Sequence, residues 1–265
     1  MSDRLITSLT NDTVKAVRAL HMRKEREATG RFLAEGLKFI GEALDQGRAP
    51  RLLLVGEDAR PHPLLERAKA ETRAAGGEVV TVTHAILEKI SRRDNPQTVL
   101  GVFEQVYAPL EAVSPHAAPC WVALEQVRDP GNLGTIIRTA DAAGCGGVIL
   151  IGDCVDPYSV EAVRATMGSV FAVAIVRTTP AAFLAWRQAW PGSVIGTRLD
   201  ATHGYRDAPL RRPALVVMGN EQAGLSDELA AACDVNVKIP MRGRADSLNL
   251  AIATGIMVYA VTDAA

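Results

Sequence analysis

What most constrains this chain is a series of short, unbroken apolar runs, each followed by a segment with helical spacing. Trp121-Val-Ala-Leu, Gly147-Val-Ile-Leu-Ile and Leu215-Val-Val-Met carry no polar side chain. A strand with one wet face alternates apolar and polar residues, whereas a strand apolar on both sides must be covered on both faces. Such runs alternating with helices argue for a mostly parallel α/β sheet.

In chain order, residues 12–29 read as a basic amphipathic helix stopped by Gly30. Residues 32–35, 51–55, 79–82 and 98–106 read as strands, with helices over 37–46, 63–75 and 84–92 between them. Residues 1–107 therefore read as a small α/β domain with an N-terminal helix. Residues 108–119 hold Pro109, Pro115 and Pro119 without periodicity, the pattern of a linker. Residues 120–265 alternate again, with strands over 121–127, 147–151, 173–176, 193–197, 215–218 and 235–239. Helices read over 132–143, 159–169 and 180–190, with a short one inside 219–232 and a last one from Ser247.

The net charge is −1, so no global basic field attracts polyanions, and any nucleic-acid surface has to be local. The most basic stretch is His21-Met22-Arg23-Lys24-Glu25-Arg26. Cys120, Cys145, Cys154 and Cys233 form no C-x-x-C pair and no metal spacing with histidine, which points to free thiols, no metal and a reducing compartment. No apolar run has membrane-spanning length, so the expected location is the cytoplasm, with no membrane partner.

Ligands of a parallel sheet bind outside the carboxyl ends of its strands. Three such ends carry unusual polar loops. The first, Asp129-Pro-Gly-Asn-Leu-Gly-Thr-Ile-Ile-Arg138, places Asn132 as a candidate helix cap and Arg138 six residues later. The second is Met218-Gly-Asn-Glu-Gln-Ala-Gly-Leu225, with Glu221 in a short turn. The third runs from Ile239 through Arg242-Gly-Arg244 to Ser247-Leu-Asn249 at the mouth of the last helix. Each has a plain reading as turn, cap or surface charge. Neither G-x-G-x-x-G nor G-x-x-x-x-G-K-[ST] occurs, which weighs against a dinucleotide-dependent oxidoreductase.

NLGTIIRTADAAG, VMGNEQAGL and IPMRGRADSLNLAIATG resemble, in order, the three signature motifs of the SpoU (TrmH-like) RNA ribose 2′-O-methyltransferases of the SPOUT superfamily. FLAEGLKFIGEALDQG is similar to the start of that family's small substrate-binding domain. The resemblance implies a C-terminal trefoil knot, S-adenosylmethionine (AdoMet) as cofactor and a homodimer through the knotted domain. It implies cofactor positions at Gly219, Ile239 and Leu248, with Thr197 and Met241 as neighbours. Functional positions fall on Asn132, Arg138, Glu221, Ser247 and Asn249. The expected substrate is ribosomal RNA, of the 23S large-subunit type, because the separate N-terminal domain sets the chain apart from tRNA members. A tRNA enzyme and a non-catalytic RNA-binding or ribosome-assembly factor are the alternatives. The expected role of Arg138 is a phosphate clamp and charge stabiliser, since a guanidinium is a poor proton acceptor at neutral pH.

Overall fold

The computed structural model describes residues 4–207 and 210–263. The chain divides into two compact units, one of residues 1–105 and 158–171, the other of residues 106–157 and 172–265.

The first unit contains β1 (Arg4–Ile6), α1 (Asp12–Ala19), α2 (Arg23–Thr29), β2 (Arg31–Glu35), α3 (Leu37–Asp45), β3 (Leu52–Gly56), α4 (Pro63–Ala74), β4 (Glu78–Val82), α5 (His84–Ser91) and β5 (Val99–Glu104). Its sheet runs β1-β4-β3-β5-β2, parallel across the first three strands and antiparallel where β5 meets β3 and β2. The single helix expected over 12–29 is two helices. The buried Arg26 donates from Nη1 to the carbonyls of Leu20 and His21, at 2.8 and 3.0 Å. Those free carbonyls at the end of α1 are satisfied by a side chain of α2, so the chain turns there and does not continue straight.

The second unit contains β6 (Cys120–Glu125), α6 (Pro130–Ala142) and β7 (Gly147–Ile151). The connection to the next strand carries α7 (Val160–Thr166), which belongs to the first unit. Then follow β8 (Ala174–Thr178), α8 (Pro180–Arg187), β9 (Val194–Thr197), β10 (His203–Gly204), β11 (Ala214–Met218), α9 (Asp227–Ala231), β12 (Val235–Lys238) and α10 (Leu250–Thr262). All seven strands are parallel, in the order β10-β12-β9-β11-β6-β7-β8. β6, β7 and β11 are buried at every residue, as their unbroken apolar sequences require.

Two boundaries differ from the division drawn on the sequence. The proline-rich segment 108–119 is packed onto the second unit: Leu110 and Val113 are buried in its core, and the Ala108 N–H donates to the carbonyl of Ile175 at 2.9 Å. Residues 158–171 pack with the first unit through an aromatic cluster in which Phe32 meets Tyr158 and Phe171, with ring centroids 4.6 and 5.8 Å apart. Arg164 adds a two-pronged ion pair to Glu35, at 2.7 and 3.2 Å, and a bond to the carbonyl of Ser91. The Glu35 side chain is 3% exposed, so removing Arg164 would strand a buried carboxylate at a cost of about 3–5 kcal/mol.

Candidate active site

Because the second sheet is wholly parallel, the carboxyl ends of β12, β9, β11 and β6 lie side by side along one edge. The three polar loops leave from there. α6 opens at Pro130, with Asp129 as its cap: the Asp129 Oδ1 accepts from the N–H of Asn132 at 2.7 Å. Asn132 is therefore in the first turn, not at the cap expected from sequence. That position frees its side chain.

The freed carboxamide joins the three loops. Asn132 Nδ2 donates to Glu221 Oε1 at 3.2 Å, and Asn132 Oδ1 accepts from Asn249 Nδ2 at 2.8 Å. Asn249 is the cap of α10, its Oδ1 accepting from the N–H groups of Ala251 and Ile252. A carboxylate at one end can only accept and backbone N–H groups at the other can only donate. The orientation of both carboxamides between them is thus fixed. Each Nδ2 spends one hydrogen in this chain and keeps a second.

Glu221 also accepts from the backbone N–H groups of Arg128 and Asp129, each at 3.1 Å. Desolvation pushes its carboxyl upward. Hydrogen bonds from its own backbone, from Asp129, from Asn132 and from Arg128 together outweigh that and hold it below the usual carboxylate range. A carboxylate held that low is a weak proton acceptor near neutral pH, which suits an anchor better than a general base. Asn220, which sequence reading passed over between Gly219 and Glu221, ties the same loop down. Its Nδ2 donates to the carbonyl of Gln126 at 2.7 Å, and its Oδ1 accepts from the N–H groups of Gln222 and Ala223.

Beside this chain lies a cavity of about 310 Å³. Thr197, Gly219, Ile239, Met241 and Leu248 all line it, together with Ser247 and Glu221. Its apolar wall includes Met218, Leu250 and Ala253. The Thr197 hydroxyl is buried and has no hydrogen-bond partner among the described residues. A buried hydroxyl without a partner costs about 1–3 kcal/mol, and a ligand with a polar group at that point would supply one. An apolar slot with a few convergent polar atoms suits a purine nucleoside with a polar tail such as AdoMet. Ser247 is exposed, and among the described residues its hydroxyl reaches only Asp246 Oδ1, at 3.4 Å.

Arg138 stands apart from the cavity. It is exposed on the third turn of α6 and makes no hydrogen bond or ion pair with the described residues. Six residues along an α-helix place it roughly 9 Å along the axis and about 120° around it from Asn132. An unpaired guanidinium at that distance is free to meet a phosphate brought by a substrate.

Comparison with known proteins agrees with this arrangement. Residues 119–259 match the SpoU rRNA Methylase family, and residues 11–101 match the MRM3-like substrate binding domain. The chain is 32% identical to 23S rRNA (guanosine(2553)-2′-O)-methyltransferase RlmP of Bacillus subtilis, over 96% of this chain and 97% of that protein. Among solved structures, the AdoMet-bound rRNA methyltransferase from Sinorhizobium meliloti superposes with a TM-score of 0.91 at 49% identity, covering 97% of each chain. The SpoU methyltransferase AviRb from Streptomyces viridochromogenes, in complex with AdoMet, gives 0.85 at 30% identity, over 96% of this chain and 97% of that one. With two of the motifs lining one cavity, the first joined to them through Asn132, and a family match over residues 119–259 that spans all three, the chain belongs to the SpoU rRNA methylase family.

Proposed function

We propose that the protein transfers a methyl group from AdoMet to a ribose 2′-hydroxyl of ribosomal RNA. The observation that carries this reading is the cavity with its unpartnered Thr197 hydroxyl, set against the fixed Glu221–Asn132–Asn249 chain. Relatives that match this chain along nearly its whole length, N-terminal domain included, include enzymes named for 23S rRNA, which favours rRNA over tRNA and, with it, a cytoplasmic place of action.

AdoMet supplies an electrophilic methyl group on a positively charged sulfur. Thr197, Gly219, Ile239, Met241 and Leu248 would hold it, the Thr197 hydroxyl gaining its missing partner and the apolar wall receiving the adenine. Asn132 and Asn249 direct their two unspent N–H groups toward a phosphate or ribose oxygen, and Ser247 adds a hydroxyl. Arg138 clamps the phosphate beside the target ribose and stabilises negative charge growing on the 2′-oxygen. It does not take the proton. A guanidinium presents five N–H donors and no acceptor. A phosphate oxygen or water accepts the proton instead. DNA is excluded as a substrate because it lacks the reacting hydroxyl.

The test combines binding and product. Saturating AdoMet at about 100 times its Kd should stabilise the folded state by about 2.7 kcal/mol and raise Tm accordingly. Labelled AdoMet should leave ribose-methylated nucleotides in deproteinised 23S rRNA. No Tm shift, or label recovered on a base and not on ribose, would sink the assignment.

The C-terminal knot and the dimer belong to the same proposal. β12 lies outside β9 in the sheet, yet α10, which follows it, packs back across β11 and β6 against α6. Such a return across the strand ends supports a threaded C-terminus. α10 is apolar nearly all round, and Ile252 and Tyr259 are 55% and 45% exposed along its outer side. An apolar face left on a helix already packed inside suits a second copy of the chain. The native protein should sediment at twice 28.2 kDa. Ile252→Arg, outside the cavity, should weaken the dimer on the order of 100-fold, about 2.7 kcal/mol. A native monomer would refute the dimer.

A further inference from the structure

Among the described residues, three that are not glycine have a left-handed backbone: Arg92, Gln126 and Met167, with φ of 57°, 48° and 53°. Arg92 and Met167 each close a helix, α5 and α7, where a left-handed residue is an ordinary ending. Gln126 has no helix to close. It follows β6 directly, at the carboxyl edge of the second sheet. We propose that Gln126 is there for its side chain, which contacts the base of the target nucleotide and sets which base is accepted. The inference rests on the ribose-methyltransferase reading for the presence of a nucleotide, and adds to it a specificity residue outside the three polar loops.

Position is the first ground. The strands run from β6 outward through β7 to β8, and the chain then restarts at β9 on the far side of β11. The sheet therefore changes winding direction between β6 and β11, and parallel sheets take their ligands in the crevice outside such a point. Gln126 stands at that crevice. Its N–H donates to the carbonyl of Ile151 at 3.1 Å, and its carbonyl accepts from Asn220 Nδ2 at 2.7 Å. Asn220 precedes Glu221, which holds Asn132, so the residue is built into the frame of the proposed site.

Chemistry is the second ground. The two backbone bonds account for the left-handed turn, and glycine would make both without strain. They do not account for a glutamine. Its stem lies over Gly152, where an added Cβ would meet Gln126 Cγ at 3.5 Å. The residue is exposed, and its carboxamide makes no hydrogen bond with the described residues. The plain alternative is a strained residue tolerated for the contact of its stem with Gly152. An exposed stem buries little in return for the strain. A free carboxamide offers a donor beside an acceptor, the pattern that base edges present. A nucleotide splayed out of its strand exposes such an edge. Asn132 and Asn249 face phosphate and ribose, which every nucleotide shares, whereas the Gln126 group can tell one base from another.

The test separates side chain from backbone. Gln126→Gly removes the carboxamide and relieves the strain, so Tm should equal the native value or exceed it by up to about 5 °C. Gln126→Met keeps the stem and the strain but loses the amide, so Tm should stay within about 2 °C of native. Both should lower kcat/KM for deproteinised 23S rRNA by about 10- to 100-fold, the scale of one two-pronged base contact. The AdoMet-induced shift in Tm should be native in both, because Gln126 does not line the cavity. Base choice is the decisive readout. Once the methylated nucleotide is mapped, full-length 23S rRNA transcripts would be compared that differ only in the base at that nucleotide. The native protein should prefer one base by about tenfold or more, and Gln126→Met should flatten that preference. A native protein indifferent to the base, a methionine variant with native preference, or a glycine variant of lower Tm would each overturn the proposal and leave the methyltransferase reading standing. A native protein that methylates neither the transcripts nor deproteinised 23S rRNA would sink that reading and this proposal with it.

Discussion

Gly219→Ala is expected to abolish the AdoMet-dependent rise in Tm and to lower the Tm of the free protein as well. A Cβ at this position would lie 2.0 Å from the Gly224 carbonyl carbon and the Leu225 nitrogen, and 2.2 Å from the Gly224 oxygen. All three are backbone atoms, so no side-chain rotation relieves the overlap. The tight turn in which Asn220 and Gly224 exchange N–H···O bonds at 2.9 and 3.0 Å would have to move, carrying Glu221 off Asn132. Overpacking of this kind costs about 1–3 kcal/mol, or roughly 2–12 °C at about 2–4 °C per kcal/mol. Gly224→Ala is the useful contrast. Its Cβ meets nothing within 4 Å, and only its φ of +71° penalises a side chain, so it should lose stability while keeping most of the AdoMet shift. Native-like AdoMet binding by Gly219→Ala would contradict the geometry.

Arg138→Lys should reduce single-turnover methyl transfer by about 100-fold or more, the scale for losing one donor to a developing oxyanion. Lysine keeps the charge but not the planar, two-pronged donor. Arg138 is exposed and outside the cavity, so AdoMet affinity should be unchanged and stability altered by less than about 0.5 kcal/mol. The pH profile separates clamp from base. A base at this position would retain activity as lysine, whose pKa near 10.4 eases deprotonation, and would move its alkaline limb downward. A clamp loses rate with no such shift. An active lysine variant with a shifted limb would overturn the clamp reading.

The buried strands were legible in the sequence because Trp121-Val-Ala-Leu and Leu215-Val-Val-Met have nothing to show to water. What escaped was set by partners distant along the chain. β1 is three residues, Arg-Leu-Ile, and exists only because β4 offers it an edge. The break between α1 and α2 has no glycine or proline to mark it; Arg26 makes it by bonding Leu20 and His21. Residues 158–171 look like any helical crossover, and only Phe32, Phe103 and Phe171 in contact reveal where they pack. At the site, Asn132 has the composition of a cap, but Asp129 three residues earlier takes that role. Its proposed part in the site depends on Glu221 and Asn249, which no local pattern connects to it.

Those two links span 89 and 117 residues of sequence. A site closed by contacts this long in range stays incomplete until Asn249, the cap that starts α10, has reached Asn132. Contacts of high sequence separation also form late in refolding, because the loops they close must be ordered first. Completion of the site therefore reports on completion of the fold: a chain whose last helix has not docked leaves Asn132 without its second partner.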